Sequence, residues 1–477
     1  MDRLPHPKTL YPGNLWPIKY TYLLEYIHMK TKPSPTPFAR VAGTLAGLLL
    51  TSLLALLSTR VLAAALPPVA YLPLVSSSTG QLALPPADAA SNRISVPAGF
   101  AIRIYSAVGG TPRLMEIGPD GELYVALMGA GQIVRLPDRN HDGLSDGTEI
   151  VLSGLNQPHN MEWHNTWLYV AQTDKIQRFD ATTYARDMGF QINLPTGGHS
   201  SRTLHFGPDG KLYVAVGSSC NVCDESGPDT GASYDPRRAA ILRFNDDGSI
   251  PNDNPFKNSA NANLRPVWAW GLRNSVDFTW TPAGQMWADH NGSDGLGKAL
   301  GMSIDDNVPP EELIIPVQGN KSHGWPYCYT PVVGLNDPPA ADVRDTRINL
   351  PAGFTCAQDV LALLTVPAHS APLGMGWGPA DVWPADYRDD LFVALHGSWN
   401  TSDPANYRDC KVTRVLVQNG QVLGSQDFAN GWREPGQLCG ASATYGRPAD
   451  VVTNAQGEMF ISDDKGQRIY RVIYTGN

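Results

Sequence analysis

Six short stretches of the chain repeat one pattern, and a unit with that pattern cannot fold alone. GPDGELYVA (Gly118–Ala126), NTWLYVA (Asn165–Ala171) and GPDGKLYVA (Gly207–Ala215) are the clearest copies, and TPAGQMWAD, DDLFVAL and NAQGEMFIS, beginning at Thr281, Asp389 and Asn454, are weaker ones. Each joins a Gly or Asp turn to a period-two run of apolar and small residues, which predicts a half-buried strand entered from a tight turn. Such a unit leaves an apolar face open to water. Radial stacking removes the problem, because each small sheet packs on its neighbours and the ring leaves few free edges. Six copies predict an all-β, six-bladed β-propeller over residues 93–477, and one closed ring of this kind uses most of the chain's 477 residues.

Charged residues are sparse at 17%, while Gly (46) and Pro (40) are plentiful, which fits many turns between short strands rather than long amphipathic helices. A net charge of −9, with no Lys/Arg run in the repeats, leaves no electrostatic footprint for a polyanion, so nucleic acid is excluded as a partner.

Residues 1–92 read differently. Lys30, Lys32 and Arg40 precede an apolar run from Val41 to Leu57, followed by Ala63, Ala64 and Ala65, the order of a secretory signal, with Met29 a second candidate start. Residues 1–65 are therefore expected to be a signal peptide or a retained membrane anchor, and 66–92, rich in Pro, Ser and Ala, a flexible linker. The expected location is secreted or extracytoplasmic, with a possible membrane tether at the N-terminus. Six cysteines in an exported chain predict disulfides. Their spacing suggests Cys220 with Cys223, Cys328 with Cys356 and Cys410 with Cys439. Asp224 follows the CNVC run where covalent haem attachment needs His, so any electron acceptor is a separate molecule.

Two stretches concentrate groups able to do chemistry. In GGHSSRTLHF, His199 sits on a loop leading into a strand, where a near-neutral imidazole is suited to taking a proton from an alcohol. His205, alternating with Leu204 and Phe206, reads as a strand residue without a role. In WAWGLRNSVDF, Arg273 and Asn274 lead into a further strand. An arginine there can pair with a carboxylate or stabilise an oxyanion, and Asn can bond a sugar hydroxyl. The small residues Gly292 and Ser293 in the following loop leave carbonyls accessible to a hard cation such as Ca²⁺. Separately, DRNHDGLSDGTE (Asp138–Glu149) matches a twelve-residue calcium loop at Asp138, Asn140, Asp142, Gly143 and Glu149, and is expected to be a calcium-stapled turn between strands.

Taken together, GLRNSV (Gly271–Val276), PPEEL (Pro309–Leu313), HGWPYCY (His323–Tyr329), PAHSAPLGMGWG (Pro367–Gly378), YRDDLFVALHGSWN (Tyr387–Asn400) and GRPADVV (Gly446–Val452) resemble the glucose/sorbosone dehydrogenases. The resemblance runs from about Ser95 to Tyr474. It implies a six-bladed propeller that uses pyrroloquinoline quinone and Ca²⁺ to oxidise an aldose or sugar aldehyde, a small-molecule substrate. Position by position, it implies His199 as general base and Arg273 as the catalytic group stabilising charge on the quinone. It makes Asn274, His369 and Arg447 cofactor contacts, with His159 and His396 as further wall residues, and Gly292 and Ser293 carbonyl ligands of Ca²⁺. Two departures from the family wording are Asp277, where Gly is usual, and a longer segment between His290 and Asp306. The alternative, on the same scaffold, is a non-catalytic secreted propeller that binds carbohydrate or protein.

Overall fold

The computed structural model describes residues 82–302, 308–331, 333–335, 341–379, 382–398, 408, 410–434, 437, 439 and 444–476. The expected signal segment and the first part of the linker lie outside the described residues. Among the described residues no helix is long and apolar enough to cross a membrane.

Among the described residues, six antiparallel sheets follow in chain order as blades, with a further two-stranded sheet, Cys328–Tyr329 with Val343–Arg344. Their first strands are Pro112–Ile117, Asn160–His164, Arg202–Phe206, Phe278–Trp280, Pro372–Trp377 and Pro448–Thr453, for blades 1 to 6. Each first strand lies beside the first strand of the next blade, and the sixth lies beside the first, so these six line the axis. Blade 6 is completed by the chain's other end: Phe100–Ala107 pairs antiparallel with Arg468–Tyr474. Blade 4 carries an insertion between Glu311–Pro316 and Leu364–Val366, held by the Cys328–Cys356 disulfide. Cys220–Cys223 and Cys410–Cys439 also pair as their spacing suggests.

The six repeated stretches are the turn into the second strand of every blade. The turn residue is left-handed in all six: Gly121, Asn165, Gly210, Gly284, Asp389 and Gly457 have φ of 83°, 55°, 67°, 80°, 62° and 87°. Gly, Asn and Asp are the residues that tolerate this region, which is why the weaker copies keep that character. The expectation of half-buried strands needs correcting. Leu123–Leu127, Leu212–Val216, Met286–His290, Leu391–Leu395 and Met459–Asp463 are buried along their whole length. Their two faces meet two different blades: Leu123, Val125 and Leu127 pack with Tyr105 and Phe460 of blade 6, whereas Tyr124 and Ala126 pack with Met161, Leu168 and Val170 of blade 2. A strand wedged between neighbours needs apolar residues at every position, with alternation appearing only as large against small.

The end of the linker also differs from expectation. Arg103 Nε donates to Pro85 O (2.8 Å), Arg471 Nη1 donates to Ala83 O (2.7 Å), and Ser91 is buried, so 83–92 is docked on blade 6.

Buried acids cross-link the first strands. Met115 N donates to Asp450 Oδ2 (2.7 Å), Phe206 N to Glu162 Oε1 (3.1 Å) and Met375 N to Asp277 Oδ2 (2.9 Å), each bond joining two blades. His205, without a role in the sequence reading, lies between them, with Nδ1 2.9 Å from Glu162 and Nε2 3.0 Å from Asp277. Both ring nitrogens face carboxylates, so both carry protons. Burial opposes that charge, but the bonds to Asp277 and Glu162 outweigh it and raise the pKa well above the usual histidine value. A cavity of about 180 Å³ beside them is lined by Glu116, His205, Asp277 and Asp450. Burial, assisted by neighbouring acids, pushes Glu116 and Asp450 each up to about 8.

All three shifts have the same consequence. The folded chain holds protons that the unfolded chain has lost: Glu116 and Asp450 above the ordinary carboxylate range, His205 above about 6.5. Stability is therefore greatest on the acidic side of this window and falls as pH rises through about 8. The urea midpoint is expected to drop between pH 6 and 9, and Asp450→Asn, which cannot ionise, should shrink that drop; a midpoint that rises over this range would contradict the assignment.

Candidate active site

The entrances to the six first strands gather the candidate groups in ring order. Arg113 begins blade 1, His159 precedes blade 2, His199 blade 3, Arg273 and Asn274 blade 4, His369 blade 5 and Arg447 blade 6. Contacts run between them. Arg113 Nη2 is 3.2 Å from His159 Nε2, and Arg202, next along from His159, donates from Nη1 to His199 O (2.7 Å). His199 and Asn274 both crowd the α-carbon of Gly217, where a side chain would clash with His199 Cβ and Asn274 Oδ1. His369 Nδ1 is 3.5 Å from Asp294 Oδ1, and Arg447 Nε donates to His396 O (2.8 Å). Arg113 closes the circuit on Asp464 at 2.9 Å.

His199 has a defined tautomer. Its Nδ1 is 3.0 Å from Ser218 O and 3.0 Å from Ser218 Oγ. Because a carbonyl only accepts, Nδ1 carries the proton, and Nε2 is left with its lone pair. Burial, with the Arg273 guanidinium beside it, lowers the His199 pKa to about 4. The ring is therefore neutral at pH 7 and able to accept a proton at Nε2. Among the described residues the buried Asn274 Oδ1 has no hydrogen-bond partner, which leaves an acceptor beside this base for a donor on a bound molecule.

Arg273 is 6% exposed and fully engaged by protein. Its Nη1 donates to Gly292 O (2.7 Å) and Asn291 O (3.4 Å), its Nε to Asn221 O (3.2 Å), and its Nη2 to Asn221 Oδ1 (2.9 Å) and Asp294 Oδ2 (3.3 Å). Its backbone N donates to His290 Nε2 (2.8 Å), and His290 Nδ1 reaches Glu312 at 2.8 Å. Glu311 accepts from Gly292 N and from His369 N (3.0 Å), joining the blade 4 loop to blade 5. Burial pushes Glu311 up to about 7.

On the opposite side, Asp464 organises His396, Arg113 and Arg447. His396 Nε2 lies 2.9 Å from Asp464 Oδ1. Burial opposes ionisation of Asp464, but His396 and the two guanidiniums hold its carboxyl well below the usual range. Burial lowers His396 to about 4 and, with Arg113 adding to it, Arg447 to about 10. Burial and Arg113 keep His159 neutral. Among the described residues the Arg447 guanidinium bonds only carbonyls, those of His396 and Gly397 (2.7 Å), so no carboxylate is hydrogen-bonded to it and an anion can be.

The donor types suit a polycarboxylated quinone: Arg447 and Arg113 stand at adjacent strand entrances, Arg273, already bonded to protein acceptors, adds positive charge beside the base, and an orphaned acceptor sits there. For Ca²⁺, the groups around Gly292 and Ser293 are hard oxygens, including Asp294 and Glu311, which suits the ion by type. Gly292 O is shared with Arg273, and Ser293 Oγ accepts from Arg347 Nη2 (2.5 Å). Asp277, the departure in wording, belongs to the axial acids and not to this loop. Arg113, Asn221, Glu311 and Asp464 escaped the sequence reading. Asn221 between two cysteines and Glu311 within PPEEL carried visible signals; Arg113 and Asp464 lie in strand-like or acidic words with no motif of their own.

The Asp138–Glu149 loop is ordered by its own backbone N–H groups. Asp138 accepts from Asp142 N (3.1 Å) and Gly143 N (2.9 Å), Asn140 from Asp142 N (3.0 Å), and Asp142 from Leu144 N (2.9 Å). Glu149 begins the outer strand Glu149–Leu152, where Arg135 (3.1 Å) and Arg139 bind it. Glu149 thus stands at the start of the outer strand of blade 1, bonded to two guanidiniums.

A family model described as TrAA12-like matches residues 94–475. A Borreliella burgdorferi protein described as uncharacterized is 24% identical over 415 residues, 81% of this chain and 93% of its own. The pyrroloquinoline quinone-dependent pyranose dehydrogenase of Coprinopsis cinerea is 24% identical over 419 residues, 79% of this chain and 54% of its own, so the chain spans about half the length of that relative. The holo form of the quinone domain of Coprinopsis cinerea pyranose dehydrogenase superposes with a TM-score of 0.63 at 21% identity, over 81% of this chain and 98% of that one. A Trichoderma reesei family AA12 enzyme superposes with a TM-score of 0.64 at 19% identity, over 82% and 100%. At these identities the structural likeness is one of fold.

Asp464→Asn leaves the buried Arg113 guanidinium without its carboxylate partner. A loss of about 3–5 kcal/mol in urea unfolding at pH 7 is expected, and a loss below about 1 kcal/mol would show that the rim does not depend on this charge.

Proposed function

Because the chain belongs to the TrAA12-like family, we propose that it is an exported quinoprotein dehydrogenase that oxidises an aldose or sugar aldehyde with pyrroloquinoline quinone and Ca²⁺, passing the electrons to a separate acceptor. The three disulfides favour an oxidising compartment. The observation that carries the reading is His199: an imidazole whose Nδ1 is committed to Ser218, whose Nε2 is unprotonated, and whose pKa is about 4 beside a guanidinium.

When bound, the quinone supplies a hydride acceptor and Ca²⁺ a Lewis acid that polarises it. The chain's own groups do the rest. His199 Nε2 takes the proton of the substrate hydroxyl as the adjacent carbon gives up its hydride. Repulsion from Arg273 then favours release of that proton to water and resets the base. Asn274 Oδ1 accepts a hydroxyl or N–H of the bound molecules, fixing their orientation. Arg447 and Arg113 attract carboxylates into a site where His159 and His396 stay neutral and add no competing charge. His369, held by Glu311 and facing Asp294, forms the blade 5 wall.

Protein supplied with pyrroloquinoline quinone and Ca²⁺ is expected to reduce a dye in the presence of a pyranose or other aldose. His199→Ala should lower kcat by roughly 10²–10⁴ while the quinone absorbance of the complex is retained. The wild-type kcat/KM should be flat near neutrality and decline on acidification through about 4, as His199 becomes protonated. Bound quinone without turnover across an aldose and aldehyde panel would remove the enzymatic reading.

A further inference from the structure

The CNVC run has no place in the mechanism above, yet it lies against both halves of it. Cys220 and Cys223 close a small disulfide ring. Within that ring Asn221 makes contacts in three directions. Its Oδ1 accepts from Arg273 Nη2 (2.9 Å) and from Asp294 N (2.9 Å), and its Nδ2 donates to Asp294 O (2.8 Å). Its backbone O accepts from Arg273 Nε (3.2 Å) and from Trp325 Nε1 (3.1 Å) of the blade 4 insertion. The neighbouring carbonyl, Cys220 O, accepts from Ser218 Oγ (2.6 Å), the hydroxyl beside His199 Nδ1.

We infer that Asn221, presented by the Cys220–Cys223 ring, is a positioning residue that holds Arg273 and the Gly292–Asp294 loop in register with each other and with His199. The inference rests on the dehydrogenase reading for its catalytic consequence, but not for its geometry.

Three physical points support it. Arg273 places donors on two Asn221 oxygens, and the remaining acceptors all belong to the 291–294 loop, so Asn221 is the bridge from blade 3 to that loop. The bridge needs an acceptor and a donor on one short planar group, because Oδ1 receives Asp294 N while Nδ2 gives to Asp294 O; Asp supplies only the first and Ala neither. Asn221 is itself solvent-exposed, so packing does not hold it, and the covalent ring on either side limits where its backbone can go. The disulfide thus acts on the site through Asn221, by its side chain and its backbone carbonyl, and through Cys220 O.

The test uses the full chain. Hydrogen–deuterium exchange of residues 290–296 is measured on protein without quinone for wild type, Asn221→Ala, Asn221→Asp, Cys220→Ser with Cys223→Ser, and the triple variant. Quinone retention with Ca²⁺ and the kcat and KM of dye reduction are measured in parallel. Asn221→Ala should speed exchange in this segment and weaken quinone retention or kcat by about 10–100-fold, the usual cost of removing a partner that orients a ligand-binding group. Asn221→Asp should fall between it and wild type and serves if the alanine variant does not fold. The triple variant should lose clearly less than the sum of the Asn221→Ala and double-serine losses, because ring and side chain act as one unit. Unchanged exchange in both Asn221 variants, or losses that add in the triple variant, would overturn the inference. Absent turnover in wild type would instead count against the dehydrogenase reading, with the exchange result still deciding the role of Asn221.

Discussion

The pairing of Phe100–Ala107 with Arg468–Tyr474 is the interaction on which the rest depends. It joins the two ends of the described chain into one sheet and converts six sheets in a row into a ring. Only in a ring does every second strand have a neighbour on both faces, which is why Tyr105, Ile469 and Phe460 of blade 6 can cover Val125 and Leu127 of blade 1. Without closure, blade 1 and blade 6 would each present an apolar face to water, and Arg113 would lose Asp464. The same pairing that completes the core therefore completes the site.

Burial has opposite electrostatic consequences at two levels along the axis. Between the first strands, acids outnumber cations, and the fold retains protons on His205, Glu116 and Asp450. At the strand entrances, guanidiniums dominate, and the fold expels protons from His199, His159 and His396. The first arrangement binds blades together. The second leaves imidazoles neutral among positive charges, a state suited to taking protons from a bound molecule and to receiving an anion. Loops that would otherwise splay are held by short polar links, with Glu311 tying Gly292 to His369 and Asn221 tying Asp294 to Arg273.

Much of this was legible from local words, and the limits have physical causes. The six turn-strand repeats identified the blades because a left-handed turn admits few residue types and a doubly packed strand admits few polar ones. His199, Arg273, His369 and Arg447 were legible because each stands at a strand entrance inside a long recognisable phrase. The calcium-like loop carried no sign that Glu149 bonds Arg135 and Arg139, since spacing along the chain says nothing of a strand that places them together. His205 was passed over because its alternation with Leu204 and Phe206 is that of any strand residue, whereas its partners, Glu162 and Asp277, come from two other blades.

The sequence by itself determined the number of blades, the turn residues between first and second strands and most of the ring of imidazoles and guanidiniums, and its spacing suggested cysteine pairs that the structure then fixed. Those features are written in contiguous residues, where backbone sterics and strand periodicity act. Tertiary structure alone decided which nitrogen of His199 is free, which carboxylates keep their protons, and that Asp464 and Asn221 hold the arginines. Each of these depends on groups from different blades being brought within hydrogen-bonding distance in a medium of low polarity, and distance through space is not encoded in the order of residues along the chain.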